Sequence, residues 1–361
     1  MVDLATCFCG LELRNPLIAA SGPLTHDGAS VIRAYEAGAG AVVTKTIDLE
    51  PAINPVPHIA SLGQDMLNSE KWSDLKHTEW IEKEIPRAAE AGVTVIASVG
   101  HSPEAVAALA GPLESAGAKA IEVVSYDPGA LAGMVRAAVN AIRNIPIIAK
   151  VSTNRCDCVE VAMACVKEGA SGITAIDAVG PSLRFNPEHP TPVVSEGYGW
   201  LSGPAILPIA LGAVARIAQA TNGTVPIAGT GGVSSASDCA EMLMAGASAV
   251  GICTLLIKKG VGALAKLSAE LPKCLERLGL PSVKSATGAG LHVVDVGKES
   301  DIALAWDRDS CTACNVCLMV CPYSARLTIG LADPTTCRRC GLCASACPVG
   351  AISLIEAGKG R

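Results

Sequence analysis

The chain has 361 residues, of which 50% are hydrophobic and 17% charged, and its formal net charge is −6 at pH 7. This length suits one large domain with a small one attached. The acidic balance, without a block of basic residues, excludes the electrostatic footprint of a protein that binds nucleic acid or anionic lipid. The most apolar stretch, residues 201–215, is interrupted by glycine and proline and does not predict a membrane span. We expect a soluble, cytoplasmic protein whose partners are small molecules and other proteins.

Eight short runs rich in valine, isoleucine and alanine alternate along the chain with longer segments of helical periodicity. Each run is almost continuously apolar, which is typical of strands buried on both faces of a parallel sheet. The runs are residues 17–20, 41–44, 93–98, 120–125, 146–150, 172–176, 226–229 and 249–252. Eight such units with right-handed crossovers predict an α/β fold, a closed (β/α)8 TIM barrel. An open doubly wound sheet is the alternative, and the Gly-Ala pairs before several runs favour the barrel.

Two connections are too long for minimal strand-to-helix loops, and both contain several prolines. They are residues 46–70, after the second run, and residues 180–203, after the sixth. Long loops at the carboxyl ends of barrel strands usually build the active site. We therefore expect irregular loops over the site, with the second of them acting as a lid.

The seventh and eighth runs each lead into a glycine-containing loop. The first loop is Thr230-Gly231-Gly232-Val233, and the second begins at Gly251 and reaches Thr254. Glycines allow backbone N–H groups to approach an anion, and the start of a helix adds a positive dipole. Because the loops after strands seven and eight of a barrel often bind phosphate, we predict a phosphate site here.

The C-terminal segment contains two copies of the pattern Cys-x-x-Cys-x-x-Cys-x-x-x-Cys-Pro. Thiolates at this spacing hold three corners of a cubane iron–sulfur cluster, while the fourth cysteine of each copy ligates the other cluster. Zinc ligation and disulfides are poor explanations for a doubled four-cysteine run in which a proline follows each fourth cysteine. The predicted metal ligands are Cys311, Cys314, Cys317, Cys321, Cys337, Cys340, Cys343 and Cys347. We expect two [4Fe-4S] clusters in a small α+β domain of residues 297–361, after a barrel of residues 1–296 with its boundary near Val296.

This cysteine run resembles the bacterial two-cluster ferredoxins, and the resemblance implies which cysteines share a cluster. One cluster would be held by Cys311, Cys314, Cys317 and Cys347. The other would be held by Cys321, Cys337, Cys340 and Cys343.

The barrel segment resembles the dihydroorotate dehydrogenases, which are FMN enzymes. The similar motifs are residues 15–22 (NPLIAASG), 43–46 (VTKT), 54–57 (NPVP), 67–68 (LN), 148–152 (IAKVS), 172–175 (GITA), 202–203 (SG) and 229–232 (GTGG). With the cysteine tail included, the chain is most similar to the flavin and iron–sulfur portion of dihydropyrimidine dehydrogenase. The resemblance implies a bound FMN, and it implies cofactor-binding residues at Ala20, Ser21, Gly22, Lys45, Asn68, Lys150, Asp177, Ser202, Gly203, Gly231, Gly232 and Thr254.

The chain departs from this family where the substrate should bind. The family's Asn-x-Ser-Cys-Pro, whose cysteine or serine exchanges a proton, corresponds here to Val124-Ser125-Tyr126-Asp127-Pro128, and its Asn-Thr after the sixth strand corresponds to Asp177-Ala178. Asp127 is therefore the predicted acid–base group, with Tyr126 and Lys45 as further catalytic candidates. A cap on the next helix is the alternative role for Asp127. Each lost amide leaves a hydrogen-bonding group of a bound pyrimidine ring buried without a partner, which costs about 1–3 kcal/mol. This cost disfavours dihydroorotate and uracil as substrates.

We expect an FMN- and iron–sulfur-dependent oxidoreductase acting on a C=C or CH–CH bond of a small organic substrate. A Gly-x-Gly-x-x-Gly fingerprint is not apparent in the sequence, so the resemblance implies that an FAD-containing or other electron-transfer partner subunit handles NAD(P)H. Homodimerisation is implied by the resemblance alone. Two alternatives stay open: an electron-transfer subunit without a small-molecule substrate, and a pyrimidine (dihydropyrimidine or dihydroorotate) dehydrogenase that uses Asp127.

Overall fold

The computed structural model describes residues 2–294 and 302–356. Its internal contacts divide the chain into two compact units, Met1–Val294 and Asp295–Arg361. The predicted domain boundary at Val296 lies outside the described residues. Within the described ranges, no helix is long and apolar enough to cross a membrane.

The first unit contains a closed barrel of eight parallel strands in sequential order. The strands are β1 (Leu17–Ala19), β2 (Ala41–Val43), β3 (Val95–Val99), β4 (Ala120–Val124), β5 (Ile147–Val151), β6 (Gly172–Ala175), β7 (Ile227–Thr230) and β8 (Ala249–Ile252). The barrel closes where Gly251 of β8 pairs with Ile18 of β1. Each predicted run corresponds to one of these strands. The TIM barrel is thus confirmed, and the doubly wound sheet is excluded.

Each strand is followed by a helix that packs on the outside of the barrel. These helices are α1 (Gly28–Glu36), α2 (Ile85–Glu90), α3 (Pro103–Ser115), α4 (Leu131–Ala141), α5 (Cys158–Lys167), α6 (Leu207–Ala220), α7 (Ala236–Met244) and α8 (Ala263–Arg277). Local sequence sets where some of them begin: Ser235 and Asp238 form a reciprocal capping box on α7. Further helical segments are His77–Glu79, Trp80–Glu84, Thr254–Lys259 and Val283–Ala286, with 3-10 turns at Pro23–Thr25, Pro204–Ile206 and Leu291–Val293.

An antiparallel hairpin, Thr6–Phe8 with Leu11–Leu13, precedes the barrel. Phe8 and Leu13 are buried in one apolar cluster with inward-facing side chains of the strands, among them Ile18, Val43 and Ile96. Because β1 starts directly after the hairpin, these contacts lie towards the amino ends of the strands. The carboxyl ends are left to form the functional site.

The two long connections are not irregular throughout, and the prediction of loops is wrong in this respect. Parts of both pair into one antiparallel sheet with the order Val179–Ser182, Gly199–Ser202, Asp65–Asn68 and Ile59–Leu62. The last two strands form a tight hairpin, with Gly63 in the left-handed region at φ +68°. Their pairing with a strand more than a hundred residues away carries no local sequence signal. We call this element the roof sheet.

The second unit is a small α+β structure. Its strands Ile302–Trp306 and Ile352–Glu356 pair antiparallel, and a short hairpin joins Arg326–Thr328 to Leu331–Ala332. Two single-turn helices, Val316–Met319 and Leu342–Ser345, each carry the third cysteine of one motif. Those cysteines, Cys317 and Cys343, are buried against apolar side chains.

Candidate functional site

A large cavity of the first unit is lined by residues that follow the carboxyl ends of the barrel strands and by the roof sheet. It brings together most of the predicted cofactor and catalytic residues: Ala20, Ser21, Gly22, Lys45, Asn68, Tyr126, Lys150, Asp177, Ser202, Gly231, Gly232 and Thr254. Two predicted residues, Gly203 and Asp127, are not part of the lining. Gly203 lies next to it and precedes the 3-10 turn Pro204–Ile206.

One end of the cavity has the form of a phosphate cradle. Gly231 and Gly232 are in the left-handed region, with φ +120° and +82°, where residues with a Cβ are strained. Thr230 beside them is 8% exposed, and its buried hydroxyl has no hydrogen-bond partner among the described residues. The Thr254 hydroxyl contacts the Ser202 hydroxyl at 2.9 Å. Glycine backbone that an anion can approach closely, together with a buried hydroxyl without a described partner, fits the phosphate of FMN.

Gly232→Ala should weaken FMN binding about 10-fold or more. A Cβ at this position would lie 2.5 Å from the backbone nitrogen of Leu207 and would meet a positive φ, so the cradle must shift. A hydrogen bond to a charged group contributes about 1.5–3 kcal/mol, which corresponds to at least a tenfold change in affinity. FMN retained per chain after dialysis measures this. Gly212→Ala in α6, where a Cβ meets nothing within 4 Å, is the matched control and should retain FMN fully.

Two largely buried lysine side chains line the cavity, and each is paired with a carboxylate. Lys45 Nζ lies 2.6 Å from Glu70 Oε2, and Lys150 Nζ lies 3.0 Å from Asp177 Oδ1. Burial alone would lower the pKa of Lys150, but the negative charges of Asp177 and Glu122 raise it above its ordinary value. The Lys150 ammonium group therefore remains charged near neutral pH. The two lysines would place hydrogen-bond donors beside an FMN bound in this cavity.

Glu122 is a buried carboxyl group inside the barrel that the sequence did not single out. It accepts a hydrogen bond of 2.8 Å from the Thr174 hydroxyl. Burial raises the pKa of Glu122, while the charge of Lys150 partly opposes the shift. Glu122 is thus a second carboxyl group, besides Asp177, that interacts with Lys150.

A continuous set of aromatic rings lines another part of the cavity; we call it the aromatic wall. The rings of Trp72 and His101 have centroids 5.3 Å apart, those of His101 and Tyr126 stack at 4.3 Å, and those of Tyr126 and Trp200 are 5.6 Å apart. Burial lowers the pKa of His101 to about 4, so its imidazole is neutral. Although Tyr126 as a whole is 52% exposed, desolvation of its hydroxyl raises the pKa of Tyr126 to about 12.

Sequence reasoning found Tyr126 but missed the other members of the aromatic wall and Glu70. His101 follows the carboxyl end of β3, and this position was the only local signal that could have identified it. Trp72 and Trp200 come from the two long connections. Their proximity depends on the roof sheet, which sequence reasoning did not predict.

The structure places Asp127 outside the cavity. It is exposed, and its carboxylate accepts a hydrogen bond of 2.9 Å from the backbone N–H of Gly129. The helix α4 has Ala130 at its N-cap without a side-chain cap, so the alternative helix-cap role is also wrong. Asp127 stabilises the preceding turn instead. Its acid–base role stays a prediction, and this placement does not support it.

In the second unit the eight motif cysteines surround two small cavities, four around each. One cavity is lined by Cys321, Cys337, Cys340 and Cys343, and the other by Cys311, Cys314, Cys317 and Cys347. Hydrogen bonds from backbone N–H groups lower the pKa of two of these thiols and favour the thiolate. The largest contribution comes from Ala325 for Cys321 and from Val349 for Cys347. The grouping is that of two cubane clusters which exchange their fourth ligands.

The two cluster cavities differ in charge. Arg326, Arg338 and Arg339 line the cavity with Cys343, and Arg326 Nη2 donates a hydrogen bond of 2.7 Å to the Cys343 sulfur. The described lining of the other cavity contains no basic residue. Positive charge and hydrogen bonds to sulfur favour the reduced state of a cluster. The cluster beside Arg326 should therefore be the easier one to reduce.

Arg326→Gln should lower the reduction potential of that cluster and leave the other one unchanged. A redox titration followed by electron paramagnetic resonance measures both potentials. Arg308→Gln removes the same charge from an exposed position outside both cavity linings and serves as the control. Equal shifts of both clusters, or none, would contradict the asymmetry.

Comparisons with known proteins agree with both units. The family profile described as dihydroorotate dehydrogenase matches residues 3–275. Profiles described as 4Fe-4S binding domains match residues 304–325 and 332–353.

Curated relatives are similar over most of their length. The dihydroorotate dehydrogenase B (NAD(+)) catalytic subunit of Methanothermobacter thermautotrophicus is 33% identical over 302 residues, which covers 79% of this chain and 97% of that protein. The protein of the same name from Pyrococcus furiosus is 32% identical, with 79% and 97% coverage. The one from Streptococcus pneumoniae serotype 4 is 32% identical, with 76% and 93% coverage.

Proposed function

Because this chain belongs to the dihydroorotate dehydrogenase family, we propose that it interconverts the CH–CH and C=C forms of a pyrimidine-type ring, with the electrons passing through its two iron–sulfur clusters. Its class is that of the flavin-dependent oxidoreductases acting on CH–CH donors. Its cofactors are FMN and two [4Fe-4S] clusters. The observation that carries the proposal is a single cavity that combines the phosphate cradle, the two lysine–carboxylate pairs and Tyr126.

The names of the relatives favour the pyrimidine alternative over a substrate of unrelated structure. Two amides of the family pattern are replaced at Val124 and Asp177, but Asn68 remains in the cavity lining. The catalytic acid in this proposal is Tyr126 instead of Asp127, since only Tyr126 lines the cavity.

When bound, FMN supplies a two-electron acceptor and donor for hydride. Tyr126 supplies the proton from its Oη to the substrate carbon adjacent to a ring carbonyl. With a pKa of about 12 its phenol stays protonated near neutral pH, so it is prepared to act as an acid in the direction of ring reduction. Lys45 and Lys150 stabilise negative charge that develops in the cavity, because Glu70 and Asp177 hold their ammonium groups in place.

A partner subunit is part of this proposal. Cubane clusters transfer one electron at a time, so they connect a two-electron flavin to an external redox protein. The relatives' name specifies NAD(+) and a catalytic subunit, which supports a separate subunit that handles the nicotinamide cofactor. An FAD- and NAD(P)H-binding partner fits this role. Homodimerisation stays a prediction.

Anaerobic titration of the purified protein tests the function. Dihydrouracil or dihydroorotate should bleach the flavin absorbance, and uracil or orotate should reoxidise the reduced protein. A panel of non-cyclic enoates and enoyl thioesters is the comparison set. Reoxidation of the reduced protein only by these enoate-type compounds would contradict the pyrimidine assignment. Reduction only by a protein partner would favour an electron-transfer subunit without a small-molecule substrate.

A further inference from the structure

We propose that the aromatic wall is the specificity element of the substrate site, that it selects a planar ring without a carboxylate, and that His101 hydrogen-bonds the polar edge of that ring. This inference rests on the proposed function and specifies its substrate class. It separates uncharged rings such as uracil from anionic ones such as orotate.

The position of the wall follows from the roof sheet. Trp200 and Ser202 lie two residues apart on one strand, so both side chains are on the same face, about 7 Å apart. Ser202 contacts Thr254 at the phosphate cradle, whereas Trp200 packs against Tyr126. The wall therefore continues the cavity beyond the cradle and includes the proposed proton donor.

The wall is unusual for this chain, in which aromatic residues make up only 3% of the sequence. The Trp72 indole N–H donates to the Glu50 carbonyl at 2.7 Å, so its ring offers an apolar face and no free donor. Stacked or tilted rings at these distances contribute about 0.5–1.5 kcal/mol each beyond area burial. A flat ring gains such contacts, and a flexible chain does not.

The charges around the cavity disfavour an anionic substrate. Each of the three lysines in its described lining already has a carboxylate partner: Lys45 with Glu70, Lys150 with Asp177, and Lys71 with Glu196 at 3.2 Å. The Lys45 and Lys150 side chains are only 10% and 11% exposed. A substrate carboxylate carries a full charge and would have to compete with Glu70 or Asp177 for these ammonium groups, and displacing a largely buried partner is costly.

The imidazole of His101 is a polar ring within the aromatic wall. Both ring nitrogens are buried, and neither has a hydrogen-bond partner within the part of the chain that the structure describes. A neutral imidazole carries one donor and one acceptor in either tautomer. Because unsatisfied buried groups are rare in folded proteins, a ligand is the natural partner. The alternating N–H and C=O groups of a pyrimidine edge match either nitrogen.

Binding to the oxidised holoenzyme tests the assignment without turnover. Uracil and orotate share the same ring and differ in the carboxylate, and the perturbation of flavin absorbance gives the dissociation constant of each. We expect uracil to bind at least about 10-fold more tightly than orotate. His101→Phe keeps a flat ring but removes the hydrogen bond, which should weaken uracil binding about 10-fold. His292→Phe at an exposed site is the matched control.

The outcomes separate this inference from the proposed function. Equal or tighter binding of orotate, no binding of either ring, or unchanged uracil affinity in His101→Phe would each overturn the role of the wall. Retained FMN content in the variant shows that the cavity is intact. Selective uracil binding without any turnover would support the wall and overturn the proposed function. Turnover of orotate in preference to uracil would overturn the role of the wall and support the proposed function.

Discussion

Replacing Tyr126 by phenylalanine should slow substrate-dependent flavin oxidation about 10²-fold or more. General acid catalysis by a positioned side chain typically contributes 10²–10⁴-fold, and this change removes only the hydroxyl. The phenylalanine ring preserves the stacking on His101, so binding should change little. Anaerobic stopped-flow measurement of the reduced enzyme with its substrate gives the rate constant, and saturation separates it from affinity.

Asp127→Asn is the matched control, because it changes the adjacent residue without removing a group from the cavity. The amide oxygen of asparagine can still accept the hydrogen bond from the Gly129 N–H. We therefore expect a rate within about 2-fold of the wild type, since exposed substitutions away from the site have small effects. The reverse pattern, with Tyr126→Phe active and Asp127→Asn slow, would restore Asp127 as the acid.

Removing either crossed cysteine should abolish one cluster and leave the other. Cys321→Ala takes one ligand from the cavity with Cys343, and Cys347→Ala takes one from the cavity with Cys311. Anaerobically prepared protein should contain about eight irons, and each variant about four. Flavin bleaching by the substrate should persist in both, because the barrel is unchanged. Transfer to a one-electron acceptor should be lost or strongly slowed.

The remaining cluster in each variant identifies the ligand grouping. Cys347→Ala should retain the cluster beside Arg326, which is the more easily reduced one, and Cys321→Ala should retain the other. Iron analysis combined with a redox titration distinguishes them. Cys7→Ala, at an exposed position of the N-terminal hairpin, should keep all the iron. If both variants retained the same cluster, the crossed grouping would be wrong.

The barrel was predictable because its signals are local. Each strand is a short apolar run, and the cap formed by Ser235 and Asp238 is readable from four consecutive residues. The phosphate cradle and the cysteine motifs also have fixed spacing. These features need no information about distant parts of the chain.

The substrate end of the cavity was not predictable in the same way. Trp200 pairs with Asn68 only because two connections share the roof sheet, and neither segment predicts this partner. His101 gains its character from burial against Trp72 and Tyr126, which a sequence position does not reveal. The correspondence with the family's cysteine predicts Asp127 as the acid–base group. The local turn instead directs its carboxylate to Gly129.

The roof sheet has a consequence for any attempt to transplant substrate preference between relatives. Trp200 and Asn68 are cross-strand partners, and Ser202 is opposite Met66, so two distant stretches share one hydrogen-bond ladder. A chimera that imports only one stretch would separate these cross-strand partners, and a slip of one residue in their pairing would turn the side chains to the opposite face. Grafts that alter what this protein recognises must therefore exchange both stretches together.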